Sequence, residues 1–92
     1  MNQQEPAYRP LSSVLSRSFA DEVLVTLPKA SQCHVLTGSA AIGWDLLSRQ
    51  ATEGDLVARL CDLYGECREV VQDGIRTFVR DLLASGLIER VD

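Results

Sequence analysis

The chain has 92 residues, a net charge of −4, 46% apolar residues and 24% charged residues. This length suits one domain with a modest core, and the composition excludes a disordered protein. The acidic balance disfavours a protein that depends on contacts with phosphate groups.

Residues 1–12 are polar and contain two prolines, so we expect a flexible N-terminal arm ahead of one domain over residues 13–92. No apolar signal segment and no run of about 20 apolar residues is present, which predicts a cytoplasmic protein without a membrane partner. The three cysteines would then be reduced thiols.

Three consecutive stretches have the pattern of strands, over residues 13–19, 22–27 and 32–37. The second stretch alternates best, with Val23 and Val25 on one face and Leu24 on the other, which predicts a central strand. Short turns join the stretches, so neighbouring strands should be antiparallel. Residues 32–37 would then form a sheet edge.

From Gly38 the apolar spacing becomes helical, and residues 38–47 are apolar on most sides, as expected of a buried helix. Thr52 and Asp55 have the spacing of a capping box, which predicts the start of a second helix that ends at Gly65.

The last predicted helix covers residues 68–85 and ends at Gly86, and residues 87–91 form either a short strand or an extended tail. The fold class is therefore α+β: a three-stranded antiparallel sheet followed by three helices, similar to a winged helix with its wing moved to the front.

Catalysis or metal binding by the cysteine and histidine side chains is disfavoured. Cys33 and the single histidine, His34, are neighbours in a strand and point to opposite faces, so they do not form a reactive pair or share an ion. Cys61 and Cys67 do not have a zinc-site spacing. Paired carboxylates fall in turns and helix starts, where the helix dipole favours them. We expect no catalytic residue, no metal and no cofactor, and thus not an enzyme.

A winged helix often binds DNA through a recognition helix, and the last helix is the candidate for that role here. Its basic side chains are balanced by acidic ones, namely Arg68, Arg76 and Arg80 against Glu69, Asp73 and Asp81. This helix does not present a phosphate-binding face, and nucleic acid is the weaker alternative.

A peptide partner is favoured by two features. The edge at residues 32–37 lacks the Lys or Pro that normally protects an edge, so it can accept another strand. Gly74 costs the last helix about 1 kcal/mol relative to Ala. It would either admit another chain to the helix backbone or permit close packing against the sheet. A homodimer through the same edge is a further alternative.

The segments EVLVTLP, HVLTGSAAIGWDLL, DLVARL and FVRDLLASGLIE together resemble the PqqD-like proteins. This resemblance implies a RiPP recognition element, which binds the leader of a ribosomally made precursor peptide and presents it to a modifying enzyme, such as a radical enzyme or a leader peptidase. It also implies that the leader adds as a strand beside residues 32–37, in the cleft next to the last helix.

The peptide-binding residues expected from this resemblance lie on two elements. The strand supplies Gln32, Cys33, His34, Val35, Leu36 and Thr37, and the helix supplies Val71, Gly74, Ile75 and Phe78, with Arg76 or Arg80 for a leader carboxylate. Cys33 and Val35 are the strand side chains expected in the cleft, although the sequence leaves open which face of the strand meets it.

Overall fold

The computed structural model describes residues 5–27, 33–66 and 68–91. The elements in chain order are β1 (Ala7–Pro10), β2 (Leu15–Phe19), β3 (Glu22–Thr26), β4 (Cys33–Thr37), α1 (Ser39–Leu47), β5 (Ala51–Thr52), α2 (Glu53–Tyr64), α3 (Arg68–Ala84) and β6 (Ile88–Val91). The predicted α+β order, three antiparallel strands followed by three helices, is confirmed.

The main sheet has the order β2-β3-β4, and both pairs of strands are antiparallel. The strand predicted to be central is central, because β3 pairs with both neighbours. Val23 lies opposite Leu36 and Val25 opposite His34. Val23 and Val25 are buried, so this face of the sheet covers the core.

A second small sheet, of order β5-β1-β6, was not predicted. For Ala7–Pro10 it corrects the expectation of a flexible arm over residues 1–12, since this segment pairs with Ala51–Thr52 and with Ile88–Val91 and Tyr8 is only 7% exposed. Arg9 Nε donates to Glu89 Oε2 at 2.9 Å across the β1–β6 pair. Of the two alternatives for residues 87–91, the strand is correct.

Pro10 fits this sheet because β5 pairs only with Ala7 and Tyr8, so the other side of β1 is free where the proline lacks an N–H group. Ahead of β1, the carboxylate of Glu5 accepts a hydrogen bond from Gly54 N at 3.0 Å. It satisfies one of the unpaired N–H groups at the start of α2.

The predicted helix boundaries are confirmed by their caps. Thr52 Oγ1 accepts from Asp55 N and Asp55 Oδ2 accepts from Thr52 N, both at 3.0 Å, which completes the capping box. Gly65 follows α2 with a φ of 64°. After α3, Leu87 N donates to Leu82 O and Gly86 N to Leu83 O, the two bonds of a Schellman motif.

One apolar core joins the three helices to the inner face of the main sheet and to β1 and β6. Its fully buried side chains include Val25, Leu47, Leu56, Val79 and Leu87. Within the described residues no helix is long and apolar enough to cross a membrane.

Candidate functional site

β4 is an edge strand, because β3 is its single partner in the part of the chain that the structure describes. Its side chains alternate: His34 and Leu36 are half-buried on the face toward the helices, and Cys33 and Val35 are exposed on the other face. The register against buried Val25 fixes this choice. Cys33 and Val35 therefore do not point toward the helices, contrary to their expected place in the cleft.

The outer face of the main sheet carries uncovered apolar side chains. Val35 is 57% exposed, Leu15 60% and Phe19 52%. Thr37 also lies on this face, opposite Glu22. A strand added beside β4 would alternate in the same way, with one set of its side chains beside Val35 and the other set toward α3.

An open, mostly apolar cavity of about 540 Å³ lies where β4 gives way to α1. Its walls are the β4–α1 junction, the end of α2 and the part of α3 from Val70 to Phe78. The lining residues are Gly38, Ser39, Ala40, Leu60, Tyr64, Glu66, Val70, Val71, Gly74, Ile75 and Phe78. The structure thus brings together the four apolar or glycine positions that we predicted on the last helix. None of the β4 residues lines the cavity itself.

Gly74 faces open space. A Cβ built at this position would meet no atom within 4 Å other than its own helix and chain neighbours. Close packing against the sheet, one of the two explanations of this glycine, is therefore not what the structure shows. The gap at Gly74 leaves the α3 backbone accessible from the cavity.

Ile75 and Phe78 form the part of the cavity wall that is continuous with the core. Ile75 is 4% exposed, whereas Phe78 is half-buried and packs over Gly43 of α1. These two residues thus serve both the core and the cavity.

Gly38 sets the direction of the chain between β4 and α1. Its φ of 58° and ψ of −128° lie in a region that favours glycine, although a Cβ here would meet nothing within 4 Å. No side chain caps α1 at this residue. The backbone conformation, not space, requires glycine at this junction.

Other expected site residues lie elsewhere. Gln32 falls outside the described residues. Arg76 borders a separate, smaller depression with Glu5 and Gln72. Arg80 follows Gly74 by six residues, which places it about 240° around α3, away from the cavity. Neither arginine is placed to meet a carboxylate in the cavity.

Seven of the lining residues were not predicted from the sequence: Gly38, Ser39, Ala40, Leu60, Tyr64, Glu66 and Val70. Val70 is 65% exposed and precedes Gly74 by four residues, so the i, i+4 spacing on a helix could have indicated it. Among the described residues, no group of three or more His, Cys, Asp or Glu side chains is placed to hold a metal ion.

Comparison with known proteins adds to this geometry. The family model described as coenzyme PQQ synthesis protein D (PqqD) matches residues 22–88. The solved structure described as TbiB1 in complex with the TbiA(beta) leader peptide is similar, with a TM-score of 0.83 and 25% identity over 88% of this chain and 94% of that one. No curated protein sequence matches the chain.

Proposed function

Because the chain belongs to the PqqD family, we propose that it is a non-catalytic recognition element that binds the leader of a ribosomally synthesised precursor peptide and presents it to a modifying enzyme. The solved structure similar to it is a complex with a leader peptide, which supports this class of ligand. A radical enzyme or a leader peptidase is the kind of partner that the family resemblance implies.

The observation that carries the proposal is the edge strand β4 beside an open apolar cavity. An extended peptide can pair its backbone with the free N–H and C=O groups along Cys33–Thr37. These bonds are independent of peptide sequence, so they supply affinity for any extended segment. Selection among peptides must come from side-chain contacts.

Side-chain contacts follow from the alternation of the added strand. Every second side chain of the peptide would face α3, where Val70 and Phe78 offer apolar surface and Gly74 leaves room. Burial of a large apolar side chain there would contribute about 25 cal/mol of favourable free energy for each Å² of apolar area removed from water. The peptide is thus held by backbone pairing and by one apolar anchor.

A peptide titration followed by amide NMR tests this mode of binding. The ligands tested are synthetic peptides with the N-terminal sequences of any short open reading frames found beside this gene. We expect resonance shifts and slowed hydrogen exchange along Cys33–Thr37, together with shifts at Ser39, Ala40 and Val70. Amides of β1 and β6 should change little, because these strands belong to the other sheet.

A matched pair of variants separates this site from any other. Gly74→Leu should fill the gap in the cavity wall and abolish binding, whereas Gln72→Leu, an exposed position about 160° around α3, should retain it. Leaders that bind both variants equally, or that leave β4 unchanged, would contradict strand addition in this cleft.

A second copy of the chain is the other occupant that a bare edge and an apolar outer face favour. Homodimerisation would protect β4 without any peptide and would raise the mass measured by light scattering. A leader that competes with this dimer would show that both use the same edge.

A further inference from the structure

We infer that the cleft selects peptides in which Lys or Arg accompanies the apolar anchor, an inference that rests on the proposed function and specifies its ligand. The lining of the cavity is apolar or small and neutral apart from the polar tip of Tyr64 and one charged side chain, Glu66. No Lys or Arg among the described residues lines it. A peptide seated in the cavity therefore meets a negative charge at the end where Gly38 lies.

Asp81 supplies a second carboxylate on the α3 wall. It follows Gly74 by seven residues, close to two turns, so the two positions lie on the same side of the helix. The side chain of Asp81 is exposed. The side of α3 that faces the cavity at Gly74 therefore also carries the acidic side chain of Asp81.

The strand β4 and the helix α3, which flank the cleft, run in opposite directions. A Cβ on Gly86, just after α3, would stand 4.0 Å from Leu27 Cδ1, so the C-terminal end of α3 lies beside the end of β3. Thr26, at that end of β3, pairs with Cys33. The first half of α3 lies instead with Gly38 around the cavity.

The two carboxylates therefore lie toward opposite ends of the cleft, Asp81 toward the start of β4 and Glu66 beyond its end. Seven residues of helix rise about 10 Å, which equals about three residues of an extended strand. Because only every second peptide side chain faces α3, we expect a basic residue two or four positions from the peptide residue that packs over Gly74, on the side toward the start of β4.

Neither carboxylate is neutralised within residues 5–27, 33–66 and 68–91, since neither has an ion-pair partner there. The basic residues nearest in sequence to Asp81 face elsewhere: Arg76 and Arg80 lie about 200° and 240° around α3 from Gly74. Each exposed ion pair with a peptide should change affinity about 2- to 5-fold, and salt should weaken it.

Selection from a displayed library of random 12-residue peptides tests this inference on the full chain. Peptides are selected on the wild-type protein, and those that also bind Gly74→Leu are removed. We expect enrichment of Lys and Arg and depletion of Asp and Glu around an apolar residue. Synthetic peptides from the selection should lose about 2- to 5-fold in affinity for each of Glu66→Gln and Asp81→Asn.

Glu69→Gln is the matched control, because it removes the same charge from α3 at a position about 140° around the helix from Gly74. It should leave the affinity unchanged. Enriched peptides that are neutral or acidic, or an equal loss in all three charge variants, would overturn the inference while leaving peptide binding intact. If every selected peptide also binds the Gly74→Leu variant, both the proposed binding mode and this inference are overturned.

Discussion

The ring of Phe78 lies directly over Gly43, so that a Cβ added to Gly43 would stand 2.9 Å from Phe78 Cε2. This contact joins α1 to α3 and, because Phe78 also lines the cavity, it couples the packing of the helices to the shape of the cleft.

Gly43→Ala should therefore change binding more than stability. The methyl group forces the half-buried ring to turn toward the open cavity, and the gain of about 1 kcal/mol in helix propensity offsets much of the cost. We expect a free energy of unfolding in urea within about 1 kcal/mol of wild type, with weakened leader binding. A loss above about 3 kcal/mol would show that the ring cannot move.

Gly74→Ala should stabilise the fold. A Cβ at this position meets nothing, so the helix gains about 1 kcal/mol in propensity without a clash. For a domain of this size, that gain corresponds to a rise of about 4–8 °C in Tm. Thermal unfolding followed by circular dichroism measures it, and an unchanged or lower Tm would contradict the open environment of Gly74.

Gly38→Ala should have the opposite effect, although space is equally open there. The φ of 58° and ψ of −128° strain any residue with a Cβ, at a cost of about 1–3 kcal/mol. Comparing the two glycine variants in the same urea titration separates backbone strain from packing. Equal stability of the two variants would argue against this conformation at the β4–α1 junction.

Tyr8→Ala tests whether the start of the chain is part of the fold. The side chain is 7% exposed in the core, and loss of a buried aromatic ring costs about 3–5 kcal/mol. A flexible arm would tolerate the change. Arg9→Ala, which removes an exposed ion pair with Glu89, should cost less than about 1 kcal/mol and serves as the control in the same segment.

The elements predicted from the sequence are those with local signals. Alternation marked β3, the Thr52 and Asp55 capping box marked α2, and Gly86 marked the end of α3. The second sheet lacks such a signal, because β5 has two residues and Arg9 meets Glu89 across 80 positions of the chain. Pairing between short strands that are far apart in the sequence produces no periodic pattern of apolar residues within either strand.

The cleft was predicted in part for a related reason. Val71, Gly74, Ile75 and Phe78 share one side of α3, so helical spacing placed them together. The inward face of β4 depends on its register against β3, and a shift of one residue would exchange the faces. Val25 opposite His34 determines that register, which alternation within the strand alone does not reveal.

The β1–β6 pair has a consequence for how this domain can be joined to other proteins. Ala7 lies opposite Val91, so the chain enters and leaves the fold at neighbouring points, about 5 Å apart between paired Cα atoms. A segment that enters and leaves at one point can be spliced into a surface loop of a host protein without stretching either. The domain could therefore be inserted as a unit into another protein. Such an insertion would leave β4 and its cleft unobstructed, because β4 belongs to the other sheet.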